Sequence, residues 1–148
     1  EFFYLLTLTA IHWAAISGHH QVLAFLIEKL GKKILTFKQN PLILATRYGR
    51  TECVKLLLKA GYDLSHTDSI FFYFILCSFI ILIYGIFSFI FFLTSSPLHL
   101  ACWFGHTDIV QELLKYDVNV DQLDDSGKTP LHCCCWFGNR QSEAALIA

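Results

Sequence analysis

The sequence predicts an all-α fold: a solenoid of helix–turn–helix units with β-hairpin fingers, interrupted by a long apolar insert that we expect to be helical. Four similar stretches begin at Thr9, Asn40, Ser96 and Thr129, and the last two begin 33 residues apart. A regular period of this length is typical of stacked repeats. Residues 70–93 carry no charge and separate the second stretch from the third.

The first helix of each unit has a clear start and a clear end. A Thr, Asn or Ser comes first, and its side chain can accept hydrogen bonds from the free N–H groups of the first turn. Pro follows in three of the four copies, and it suits the first turn of a helix. A glycine closes each helix, and the four are Gly18, Gly49, Gly105 and Gly138.

The second helix of each unit is indicated by paired apolar residues at helical spacing. In the first three copies these are Val22, Leu23, Leu26 and Ile27; Cys53, Val54, Leu57 and Leu58; and Ile109, Val110, Leu113 and Leu114. In the fourth copy, Ser142 and Glu143 fit this pattern poorly, so we expect a frayed end there. The polar residues 117–128 predict an extended hairpin that turns at Ser126 and Gly127.

These features resemble the ankyrin repeat, whose signature is T-P-L-H-x-A-A, then Gly-His, then an apolar second helix. The resemblance covers residues 8–68 and 96–148, and T-P-L-H is complete from Thr129 to His132. Ala10 replaces the usual Pro in the first copy, and Ile43 replaces the usual His in the second. The resemblance implies a non-catalytic module that binds a partner protein on its concave face.

The order of the variants is also similar to the ankyrin segment of death-associated protein kinases: A-x-R-Y-G comes first, then P-L-H with small-small-Trp-x-Gly. The chain has no kinase signature, so a fragment of a larger ankyrin-containing kinase or channel is kept as an alternative. We expect a fragment because position 1 is not Met and Ala148 falls within the predicted last helix.

Composition excludes some functions and leaves others open. The net charge is −1 and no basic stripe occurs, which argues against nucleic-acid binding. The six cysteines form no C-x-x-C pair, which favours a reducing, cytoplasmic compartment over a secreted disulfide framework. Hydrophobic residues make up 55% of the chain, but eight of the 14 phenylalanines lie within residues 70–93.

The apolar run allows three interpretations. Its length fits a transmembrane helix, which would make the chain an integral membrane protein with flanking repeats. The run consists almost wholly of Phe, Ile, Leu, Tyr and Ser, a composition that also fits a translated intron. Removing 23 residues restores the repeat period. The third interpretation is a real apolar hairpin or helix that docks on the array or on a partner. We divide the chain into repeats 1 and 2 (residues 1–68), an insert (69–95) and repeats 3 and 4 (96–148, truncated).

The sequence predicts no catalytic, metal or cofactor site. His12, His99 and His132 recur at one repeat position, and the resemblance implies that each hydrogen-bonds within its own loop-to-helix turn. Cys133, Cys134 and Cys135 cannot all face one ion, because successive helical residues point about 100° apart. We expect small, buried thiols there, since Cys134 and Cys135 take positions held by alanine in the first copy.

A repeated aromatic pair predicts the partner-binding surface. Trp-Phe ends the first helix in the third copy and in the fourth, and Arg-Tyr takes the same place in the second. Trp, Tyr and Arg dominate interface energies, and the resemblance places this pair on the concave face. The alternative is that the rings pack on the neighbouring repeat. The candidate residues are Arg47, Tyr48, Trp103, Phe104, Trp136 and Phe137, with Asp124, Asp125, Ser126 and Lys128 as a polar rim.

Overall fold

The computed structural model describes residues 9–31, 40–64, 68–69 and 94–147. Within these ranges, eight helices form four consecutive pairs, one for each predicted repeat. The helices are α1 (Ala10–Ser17), α2 (His20–Leu30), α3 (Pro41–Arg47), α4 (Thr51–Lys59), α5 (Pro97–Phe104), α6 (Thr107–Leu113), α7 (Pro130–Phe137) and α8 (Arg140–Ile147). Repeats 1 to 4 are these pairs in chain order.

The helices stack in two layers. The first helices α1, α3, α5 and α7 contact one another in that order, and the second helices α2, α4, α6 and α8 do the same. One hydrophobic cluster runs through all four repeats, and its members include Ile11, Leu42, Leu98 and Cys134, one from the first helix of each repeat. Since each repeat buries its apolar side chains against its neighbours, the repeats are stable only as a stack.

The predicted helix ends are confirmed. The Asn40 side chain accepts a hydrogen bond from the Leu42 N–H at 2.9 Å, and Pro41 opens α3. The Ser96 hydroxyl caps α5 through the His99 N–H. Gly105 ends α5 at φ +70°, a left-handed conformation that residues with a Cβ atom rarely adopt.

The hairpin fingers differ from the prediction. Among the described residues, the strand pairing is short and antiparallel: β1 (Asp68–Ser69) pairs with β2 (Thr94–Ser95). Residues 117–128 contain no strand, and several of their N–H groups bond to nearby side chains: the Asp121 N–H to the Asn119 side chain, and the Lys128 N–H to the Asp124 side chain. The turn is nevertheless near the expected place, with the Gly127 N–H bonded to the Asp124 carbonyl at 2.9 Å.

Repeats 2 and 3 pack directly against each other, although residues 70–93 separate them in sequence. α3 contacts α5, and α4 contacts α6. The prediction of a helix for the apolar insert lies outside the described residues. Within the described part of the chain, no helix combines the length and the apolar character needed to cross a membrane.

Candidate functional site: the aromatic ends of the first helices

Exposed aromatic side chains lie at the ends of three neighbouring first helices. Phe104 and Phe137 end α5 and α7, and Tyr48 directly follows α3. All three side chains are more than one third exposed, with values from 41% to 45%. Since α3, α5 and α7 stack in order, these side chains form a row along one edge of the first layer. We call Tyr48, Phe104, Phe137 and Trp136 the aromatic row.

The two tryptophans have different environments, although they occupy the same repeat position. The Trp103 ring is half-buried and lies 4.3 Å from the Phe137 ring, centroid to centroid, so it joins repeat 3 to repeat 4. The Trp136 ring is 66% exposed. Trp103 therefore packs on the neighbouring repeat, as the alternative interpretation expects. Trp136 is open to solvent, and its role in partner binding stays a prediction.

The predicted polar rim is a structured turn beside Trp136. The Asp124 carboxylate accepts hydrogen bonds from the Ser126 N–H at 2.9 Å, the Ser126 hydroxyl at 2.6 Å and the Lys128 N–H at 2.9 Å. Although burial acts to raise the pKa of Asp124, these bonds hold it below its usual value. The Lys128 ammonium lies 5.0 Å from the Trp136 ring centroid. Asp125 and Ser126 are exposed.

Arg47 is half-buried, whereas Tyr48 beside it is exposed, so Arg47 offers less open surface than Tyr48. Its carbonyl oxygen instead receives a bond from His106 of the next repeat, with Nε2 at 3.2 Å. The same arrangement occurs at the other two junctions. Arg50 Nε donates to the Ile16 carbonyl at 2.9 Å, and the Asn139 amide donates to the Cys102 carbonyl at 2.8 Å.

We call these three contacts the inter-repeat clasps. The sequence analysis did not predict these hydrogen bonds between neighbouring repeats. The available signal was a polar residue with a side-chain N–H donor directly after every helix-ending glycine. Each donor satisfies a carbonyl at the end of the preceding first helix, where helices leave acceptors unpaired.

The recurring histidines hydrogen-bond within the turns that start the first helices. His12 Nδ1 accepts from the Thr9 N–H at 3.1 Å, and His132 Nδ1 accepts from the Thr129 N–H at 3.2 Å. The His99 ring is buried, with Nδ1 at 2.7 Å from the Ser96 hydroxyl. These bonds hold the imidazoles in structural roles rather than beside a nucleophile.

Four of the five described thiols are buried and unreactive. Burial raises the pKa of Cys133 to about 12 and also raises the pKa of Cys102, so neither forms a thiolate readily. Cys135 is a correction, because its side chain is exposed. The alanine and cysteine at its position in repeats 1 and 3, Ala15 and Cys102, are fully buried, and no described repeat follows repeat 4. No group of side chains in the described ranges has metal-binding geometry.

Comparison with known proteins agrees with this architecture. A sequence model of ankyrin repeats in three copies matches residues 4–68 and 81–147. Over 108 residues the chain is 30% identical to the putative E3 ubiquitin-protein ligase XBAT31 of Arabidopsis thaliana and 31% identical to the probable E3 ubiquitin-protein ligase XBOS31 of Oryza sativa subsp. japonica. Those 108 residues are 72% of this chain but only 19% of each ligase.

A shorter match is more similar in sequence. Over 30 residues the chain is 57% identical to oxysterol-binding protein-related protein 1 of Rattus norvegicus. Those 30 residues are 20% of this chain and 3% of that protein. The family match extends over most of the chain and includes all four helical pairs. The chain therefore belongs to the ankyrin-repeat family.

Proposed function

We propose that this chain is a non-catalytic binding module that holds a partner protein against the aromatic row. The observation that carries the proposal is the exposure of aromatic side chains at equivalent positions of three adjacent repeats. Trp136 is 66% exposed, and aromatic side chains bury large areas when a partner covers them. Asp125 and Ser126, both exposed beside this row, supply a polar rim.

The family match, and not the names of the relatives, supports binding rather than catalysis for this segment. Two of them are named as E3 ubiquitin-protein ligases, but the chain spans about a fifth of their length. The ankyrin match lies in the same part of the chain, and this family is generally non-catalytic. The proposed role is therefore recruitment of a protein, and any activity of a longer protein would reside in other segments. A cytoplasmic location is part of this proposal.

The rival function, an integral membrane protein with one span between the repeats, fits the described geometry poorly. Ser69 and Thr94, which flank the apolar run, are paired residues of the antiparallel ladder. The two residues that lead into and out of the run therefore lie side by side. A single helix of 24 residues would separate its ends by about 36 Å. His106 also contacts Arg47, which requires repeats 2 and 3 to lie on the same side of any membrane.

The test is a binding selection followed by substitution. A displayed library of random peptides would be selected on the wild-type chain, and the affinities of the selected peptides measured for variants. We expect Trp136→Ala and Phe104→Ala to weaken binding at least about tenfold, as hot-spot residues do. Phe25→Ala is the matched control, because Phe25 is 56% exposed but lies on the second-helix layer. Equal binding by all variants would reject the proposal.

A further inference from the structure

The guanidinium group of Arg50 is held at the first-repeat end of the aromatic row. Its Nε–H donates to the Ile16 carbonyl, near the end of α1, at 2.9 Å. Its stem covers Gly18, where an added Cβ atom would lie 3.0 Å from Arg50 Cδ. α1 contacts α3, and Tyr48, the first member of the row, directly follows α3. Arg50 therefore continues the line of the row by one repeat.

The clasp uses the Nε–H of Arg50 and leaves the terminal nitrogens of the side chain available. An arginine side chain has N–H donors on Nε and on both terminal nitrogens. The Arg50 side chain is exposed, and the bond to Ile16 is made by Nε. Between described residues the ion pairs involve Lys55 and Lys115, so no described carboxylate pairs with Arg50. The structure thus fixes a guanidinium in place without giving it a counter-ion among the described side chains.

The acid nearest to Arg50 in sequence, Glu52, is bound to another residue. Its carboxylate accepts a hydrogen bond from the Lys55 ammonium at 2.7 Å. Lys55 is also the main cause that holds the pKa of Glu52 below its usual value, and His20 and Lys59 add to the effect. Arg50 is not among these cations, so Glu52 does not neutralise its charge.

The opposite end of the row carries charges of both signs. The Lys128 ammonium lies 5.0 Å from the Trp136 ring centroid, and Asp125 is exposed in the turn that precedes it. An acidic group would be attracted by Lys128 but repelled by Asp125 at this end. It would be attracted without such repulsion beside Arg50.

We propose that the partner held against the aromatic row is a protein segment in which an Asp or Glu side chain binds Arg50 and apolar side chains cover the row. This inference rests on the proposed function and names the chemistry of the partner. The planar guanidinium can donate two parallel hydrogen bonds to one carboxylate. Because the clasp already holds the Arg50 side chain, little conformational freedom is lost when the carboxylate binds.

The spacing of the repeats sets the spacing of side chains in the partner. Packed helices lie about 8–10 Å apart, and an extended chain advances about 3.3 Å per residue. Contacts on successive repeats therefore fall about three residues apart in an extended segment. Counted from the acid, apolar side chains about three, six and nine residues away would contact Tyr48, Phe104 and Phe137.

The probes are two pools of ten-residue synthetic peptides that differ only in their first residue, which is Glu in one pool and Lys in the other. Both pools carry Leu or Phe at positions 4, 7 and 10. We expect the tightest Glu peptide to bind at least about tenfold more tightly than its Lys counterpart, as a charge-assisted hydrogen bond allows. The difference should shrink as the NaCl concentration rises, because salt screens exposed charges.

Arg50→Gln tests the residue without removing the clasp. The amide nitrogen of glutamine occupies the same place along the side chain as arginine Nε, so it can still donate to the Ile16 carbonyl. We expect this variant to bind the Glu peptide about tenfold more weakly, with an unfolding midpoint within about 2 °C of the wild type. Lys59→Gln is the matched control, because it removes the same charge from an exposed side chain at the end of α4 and should leave the affinity unchanged.

The outcomes separate this inference from the proposed function. Equal binding of Glu and Lys peptides, with affinity still lost in Trp136→Ala, would overturn this inference alone. No binding from either pool, or binding that Trp136→Ala leaves unchanged, would reject both. An eight-residue oligothymidine that binds more tightly than the best peptide, and that Arg50→Gln releases, would also overturn the inference, because Arg50 would then contact phosphate.

Discussion

His106 Nε2 lies 3.2 Å from the carbonyl oxygen of Arg47, a residue 59 positions earlier in the chain. A carbonyl oxygen can only accept, so the imidazole nitrogen must carry the proton. The same ring stacks on Phe104, with the two ring centroids 5.9 Å apart. This contact is one of those that join repeats 2 and 3 on either side of the apolar run.

His106→Ala should therefore lower the free energy of unfolding by about 1–2 kcal/mol, through a lost hydrogen bond and lost packing. Urea denaturation followed by circular dichroism measures the change. His106→Asn is the matched variant, because Asn139 makes the equivalent clasp with its amide at 2.8 Å from the Cys102 carbonyl. We expect it to recover part of the loss. An alanine variant as stable as the wild type would show that the clasp contributes nothing.

Alanine substitutions at two glycines distinguish the cost of backbone strain from the cost of a clash between repeats. Gly49 and Gly138 have φ values of +68° and +69°, so alanine strains the backbone equally at both. Gly138→Ala should cost about 1–2 kcal/mol from the left-handed conformation alone. Gly49→Ala should cost about 1–3 kcal/mol more, because its Cβ atom would overlap the His106 ring. Equal losses in parallel denaturation curves would contradict the packing of His106 on Gly49.

The two tryptophans should respond differently to truncation. Trp103→Ala removes a half-buried ring that contacts Phe137 at the junction of repeats 3 and 4, and we expect a loss of about 2–3 kcal/mol. Trp136→Ala removes an exposed ring and its contact with the Lys128 ammonium, so the loss should stay below about 1 kcal/mol. Thermal unfolding of the two variants tests this order. A larger loss from Trp136→Ala would reverse the assignment of structural and surface roles.

His99 should make stability depend on pH. Burial lowers the pKa of His99 below its ordinary value of 6.5, against the opposing hydrogen bond to the Lys128 carbonyl. As the pH falls below 6.5, the unfolded chain binds a proton that the buried ring resists. The contribution of His99 is therefore present above pH 6.5 and is lost as the pH falls further.

The measurement is the free energy of unfolding between pH 7.5 and pH 5, compared with His99→Gln, which cannot titrate. The glutamine variant should show a shallower decline over this interval. Asp124 does not confuse the comparison, because its depressed pKa affects stability only as the pH falls below about 3.8. Parallel curves for the two proteins would remove His99 as the cause.

Residues 70–93 should be replaceable by Asn-Gly without loss of the array. Ser69 and Thr94 are directly paired in an antiparallel ladder, and a two-residue turn joins such a pair. We expect the free energy of unfolding to stay equal or to rise, because the contacts between repeats 2 and 3 remain. The full chain and the shortened chain would be compared by denaturation. Loss of cooperative unfolding in the shortened chain would show that the repeats need the replaced residues.

Local patterns were enough to predict the helical pairs, since caps, glycines and apolar spacing act within one repeat. Asn40 and Gly105 were both identified from neighbouring residues alone and occupy the predicted helix ends. The sequence did not explain Ser142, because apolar residues occupy the equivalent position in the other three repeats. The Ser142 hydroxyl hydrogen-bonds with the Thr107 hydroxyl, 3.1 Å away on α6. The two residues are 35 positions apart, so the neighbouring sequence of either one does not predict the contact.

The sequence by itself determined the repeat, its family and the aromatic positions, because repeated motifs record the demands of each local turn and helix. Only the tertiary structure decided which equivalent side chains are buried. Trp103 and Trp136 both lie within the sequence Cys-Trp-Phe-Gly, but Phe137 covers the first and no described repeat covers the second. Burial depends on the neighbour that a residue meets, and in a stack of repeats that neighbour belongs to the next unit of the chain.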